Sequence, residues 1–166
     1  MGKRRILNPV AYAIEGASKL PRDQVQRIVV GNARSFTALR AGTATCEDFD
    51  HLTQAVLMAD DLRRFRLASN HKATFATAID ALAAILTRSL ARTCPGSTPH
   101  YIATGPELSA IELCIRVHRV QVEEVSVREM ESAVTRLQAQ WMQRRRSSAQ
   151  AALRPLENRS HGDQAA

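Results

Sequence analysis

The chain has 166 residues, 45% apolar and 23% charged, which excludes wholesale disorder and allows one domain with its own core but hardly a second. Aromatics make up only 4%, so the core must come from Leu, Ile, Val and Ala, which suits close helix packing better than a sandwich. The formal charge is +7, yet Lys3–Arg5 and Arg144–Arg146 supply three units each and leave +1 for the rest, so the excess is terminal rather than spread over a folded face.

Residues 1–7 read as a basic N-terminal arm with no apolar stretch behind it of the kind a secretion signal carries. A short helix is expected at Asn8–Gly16, with Asn8 as N-cap, Pro9 in the first turn and Gly16 as stop. A longer one starts at Pro21 or Arg22, carries Val25, Ile28, Val29, Ala33, Phe36 and Leu39 inward, and ends at Gly42. Gly31 interrupts its middle. Thr45 caps the next helix, whose apolar face is Phe49, Leu52, Val56, Ala59, Leu62 and Phe65. After a pause at Ser69-Asn70, Phe75, Ile79, Leu82, Leu86 and Leu90 make a further stripe. The segment Cys94–Pro99 holds two prolines and a glycine and must break the helix.

The last two helices each open on a hydroxyl residue with Glu three positions on, Thr104…Glu107 and Ser126…Glu129, the pattern of a capping box. The first carries Leu108, Ile111, Ile115, His118, Val122 and Val125 in one row and Leu113, Val117 and Val120 in another, so it is expected at the centre. The second carries Val127, Met130, Val134, Leu137 and Trp141 and is expected to fold back on the first as a hairpin or to cross it steeply; Trp141 is expected buried near Leu108 and Ile111 if the two pack along their length, and is otherwise a candidate partner contact. The expected fold is all-α: a single bundle of about five long helices plus a short N-terminal one and a C-terminal hairpin, over residues 8–146. Residues 147–166 read as a disordered tail.

Three stretches, Asn8–Ala17, Thr104–Leu108 and the spaced residues His118, Gln121, Val125, Ser126 and Glu129, resemble a group of small helical bacterial proteins associated with prophages and mobile elements. The resemblance implies a mobile-element accessory protein and carries no functional residue with it.

Cys46, Cys94 and Cys114 are odd in number and lack a Cys-x-x-Cys spacing, which points to reduced thiols and a cytoplasmic setting; Cys46 and Cys114 fit small buried residues. No run of 18 uncharged apolar residues occurs, so no membrane association is expected. Asp48 and His51 form half of a carboxylate–histidine metal pattern, but no Glu-x-x-His completes it and the acids suit a helix first turn. Ser69-x-x-Lys72 has a nucleophile–base spacing without its partner motifs, so a helix cap by Ser69 or Asn70 is the simpler reading. No metal, cofactor or catalytic residue is therefore expected.

His118 reads as a core imidazole, or as a ligand-contacting group in a bundle pocket. His100 and Tyr101, in the Pro-rich loop, read as a binding lip or simply as exposed loop residues. Arg63, Arg64, Arg66 and Lys72 are the one basic concentration inside the folded part; with Arg144, Arg145 and Arg146 they are candidate phosphate contacts, or a solvated face and a helix end. The turn at Ser126 is a poor DNA-reading element, since the second helix begins with one Arg against two acids. The leading expectation is a non-enzymatic protein-binding or regulatory module with an unidentified protein partner, self-associating as a homodimer. The alternative is a nucleic-acid-binding protein using Arg63–Lys72 and the basic ends.

Overall fold

The computed structural model describes residues 18–65, 68–94 and 96–160, with side chains as far as Gln143 and excluding that of Ser69. The expected helix at 8–16, the basic arm, and Arg66 lie outside the described residues. What is described is all-α: α1 (Arg22–Arg40), α2 (Cys46–Leu62), α3 (Lys72–Arg92), α4 (Gly105–Glu124) and α5 (Val127–Ser160), with two 3-10 turns, Arg63–Phe65 and Ser69–His71, between α2 and α3.

Local chemistry sets most of these boundaries. Pro21 precedes the first residue of α1, and the helix is closed by Gly42 at φ +71°, a left-handed turn that glycine enters without steric cost. There the Gly42 N–H donates to Leu39 C=O at 3.1 Å and Thr43 N–H to Ala38 C=O at 2.9 Å, so the last carbonyls are used. At the start of α2, Asp48 N–H donates to Thr45 Oγ1 while Thr45 N–H donates to Asp48 Oδ2, a reciprocal cap. Ser126 and Glu129 repeat it at α5, and Thr104 N–H donates to Glu107 Oε2 at 2.8 Å at α4. The pause between α2 and α3 turns at Ala68, φ +56°. His71, with no side-chain cap bond, stands at the N-cap of α3. The cap expected from Ser69 or Asn70 is thus displaced, because the 3-10 turn takes up those residues.

Gly31 does not interrupt α1. A Cβ there would lie 2.9 Å from His51 Nε2, so the glycine lets the imidazole of α2 approach the backbone of α1. That nitrogen is buried without a hydrogen-bond partner.

Two apolar clusters hold the bundle. The larger joins Phe36, Leu39, Phe49, Leu52, Val56, Phe75, Leu82, Ile85, Ile111 and Cys114; the smaller joins Leu20, Leu62, Val122, Val125 and Ala133. Within the bundle α2 and α4 each pack on three other helices, so α4 shares the central place with α2. One long-range clamp fixes the α3–α4 end: Arg88 donates to both oxygens of Glu107, at 2.7 and 2.6 Å, and to Ile102 C=O. At the other end Lys19 lies in an antiparallel bridge with Ser126, secured by Leu20 N–H to Val125 C=O at 3.2 Å and Val127 N–H to Ser18 C=O at 2.9 Å. Among the described residues α3 alone is long and apolar enough to cross a membrane by length and composition, a test that a soluble core helix also passes.

The chain divides into two compact units, Met1–Ala133 and Val134–Ala166, where one domain over 8–146 is expected from the sequence. The first takes in only the opening two turns of α5, where Val127 and Met130 pack beside the buried Ala133. A hairpin along the whole of α4 and α5 is therefore not established. The helix itself continues to Ser160, past the expected end at Arg146, through the helix-favouring run Ala149-Gln150-Ala151-Ala152-Leu153.

Candidate protein-binding site

The residues singled out in the sequence separate into buried and exposed groups. Tyr101 is no binding lip. It is 5% exposed, stacked on Phe49 with ring centroids 4.3 Å apart, and its hydroxyl donates to Cys46 Sγ at 3.5 Å. Burial, then that bond, pushes its phenol up to about 12. Cys46, expected inside, is exposed because it is the first residue of α2; Cys114 is fully buried, and desolvation pushes its thiol up to about 12.

His118 is a core imidazole, 2% exposed. The Gln121 amide nitrogen donates to Ala59 C=O at 3.0 Å, which turns its oxygen toward His118 Nδ1 at 3.3 Å. An amide oxygen only accepts, so Nδ1 carries the proton. Desolvation holds this imidazole down to about 4, against the lesser opposing effect of Gln121. The pair ties α4 to α2 within the core.

The basic seam is partly neutralised. Arg63 pairs with Asp60 and Arg64 with Asp61, each at 3.2 Å, while Lys72 stands exposed at the head of α3. Asp48 accepts from Thr45 and from Ser35, which, led by the Thr45 backbone bond, keeps its carboxyl below the usual range. No group of three His, Cys, Asp or Glu residues among the described ones is placed to hold a metal ion.

Exposed apolar side chains stand at Leu86 and Leu90 on α3, at Ile102, and in three further places. The second row of α4 is uncovered at Leu113 and Val120, 49% and 59% exposed. An open groove of about 590 Å³ between α1 and the end of α4 has Val25, Val29 and Val30 in its lining, with Lys19, Arg119 and Glu123. The third place is on α5, where Trp141 is 46% exposed and Met142 54%, with Val134 also exposed. Trp141 is therefore not the buried cover expected from its stripe. The apolar stripe continues past Ala133 into the second unit. Val134, Leu137 and Trp141 stand at spacings of three and four, flanked by the uncharged Gln138 and Gln140, and the Arg144–Arg146 run follows on the same helix. Side chains of that run lie outside the described residues.

Half-exposed tryptophan beside methionine on a regular helix is the kind of anchor on which protein interfaces concentrate their energy. The groove was not legible in the sequence, since α1 and α4 are far apart along the chain. Comparison with protein-family models, with curated proteins and with solved structures finds no match.

Proposed function

We propose that this chain is a non-enzymatic protein-binding accessory module, with the Val134–Met142 stretch of α5 as its binding element. The observation that carries this reading is Trp141, the one tryptophan of the chain, standing 46% exposed in an apolar row. Leaving such a row in water forgoes about 25 cal/mol for each Å² that a partner would cover. Three polar side chains of the bundle are used structurally: His118 and Gln121 bond each other and α2, and Glu107 serves a cap and a clamp. An accessory role of this kind also agrees with the mobile-element association that the sequence resemblance implies.

The test is capture from host extract on the immobilised chain, compared with Trp141→Ala and with Leu90→Ser, a more exposed apolar site on α3. A partner held by the wild type and the Leu90 variant but lost by the Trp141 variant supports the reading. A partner held equally by all three overturns the assignment to α5.

A further inference from the structure

The groove between α1 and the end of α4 is separate from the α5 row, and the chain itself leads into it. Its lining on the α1 side includes Val25, Val29 and Val30, around a space of about 590 Å³. Lys19 and Leu20 line it too, so the residues just ahead of α1 stand at its mouth. They are fixed there: Leu20 N–H donates to Val125 C=O and Val127 N–H donates to Ser18 C=O. The chain preceding Ser18 therefore departs from beside the groove.

That preceding segment suits an apolar seat. In the helix expected over 8–16, Val10, Ala13 and Ile14 fall at i, i+3 and i+4 and share one face, with Glu15 on another. Residues 8–16 and the stretch of α1 over 22–30 have the same number of residues, about 12 Å of helix each. Gly16 stands where the chain would have to reverse, and glycine makes such a turn at little steric cost. The charges do not oppose the seat. Lys19 pairs with Glu124 and Arg119 with Glu123, which leaves Arg22 as the lining cation without an ion pair among the described residues. Glu15 is the one acid ahead of Ser18, and Lys3, Arg4 and Arg5 precede the expected helix rather than lie on it.

We infer that this groove is the seat of the chain's own N-terminal segment, which doubles back over 16–18 and docks as a helix antiparallel to α1. In that register Ile14 lies across from Val25 and Val10 across from Val29. Binding through α5 and docking in this groove use different surfaces, so either can fail alone.

Thiol labelling of the full chain tests this, in a Cys46→Ser, Cys94→Ser background that keeps only the buried Cys114. Val30 and Leu90 are 55% and 59% exposed on the bundle, so Val30→Cys and Leu90→Cys should react with a maleimide at similar rates if the groove is empty. A segment seated nine-tenths of the time instead slows Val30→Cys about tenfold relative to Leu90→Cys. Adding Ile14→Asp removes that protection, while an unreactive Cys114 shows that the bundle stays folded. Under mild oxidation Ile14→Cys with Val25→Cys forms a disulfide within one chain, and Ile14→Cys with Leu90→Cys does not. Equal labelling at positions 30 and 90, or protection that survives Ile14→Asp, overturns the inference. So does an Ile14–Val25 crosslink that joins two chains, which would assign the groove to a second copy.

Discussion

Acidification from pH 7 to pH 5 should destabilise the fold through His118. In the folded chain this imidazole is held at about 4 by desolvation, whereas an unfolded chain takes up the proton at about 6.5. Between those values the unfolded state binds more protons, so stability is complete above about 6.5 and falls as the pH falls toward 4. At pH 5 the difference amounts to about 2 kcal/mol, a sizeable part of the roughly 5–15 kcal/mol typical of a small protein. Urea unfolding followed by circular dichroism at half-unit pH steps reads this directly, as a fall in the midpoint with unchanged slope. His118→Gln keeps a donor near Gln121 without a titrating group, so its midpoint should be flat from pH 7 to pH 5. Equal stability of the wild type at both pH values would refute the reasoning. So would a His118 resonance that titrates near 6.5 in the folded protein.

Three further outcomes follow from the packing. Glu107→Gln should lower the thermal midpoint and reduce acid sensitivity below pH 4.5: Arg88, then the Thr104 cap, hold the carboxylate down to about 2, so its contribution is lost as pH falls from 4.5 toward 2. Melting curves of the two proteins at pH 5 and pH 3 check this. Tyr101→Phe keeps the stack on Phe49 and should cost less than about 1.5 kcal/mol, whereas Tyr101→Ala should cost about 3 kcal/mol, both read by urea unfolding. Gly31→Leu must displace the His51 ring from the α1–α2 crossing and should cost about 2 kcal/mol by the same assay; an unchanged midpoint would show that the ring moves aside freely.

Fold class and the main breaks were legible because they rest on local chemistry. Thr45, Thr104 and Ser126 each begin a helix where a hydroxyl and an acid stand three apart, and Gly42 ends one where a left-handed residue is needed. Burial at His118 was legible too, from its place in an apolar row. Tyr101 was not, because its stack partner Phe49 lies in a different helix, and a loop aromatic carries no period that points inward. Gly31 misled for a similar reason, since its use depends on a ring from α2. Trp141 shows the opposite limit. A stripe records that a helix has an apolar side; whether a neighbour from the same chain covers it is a tertiary fact, and here the row runs on past Ala133 with Trp141 exposed.

Trp141 is the chain's own reporter, being its single tryptophan, and its emission with and without the partner captured from host extract tests the binding role of α5 most directly. The account predicts solvent-like emission in the isolated chain and a blue shift when that partner is added. Emission that is already blue-shifted in the isolated chain, and does not move when the partner is added, would contradict it, because the ring would then be covered by its own chain.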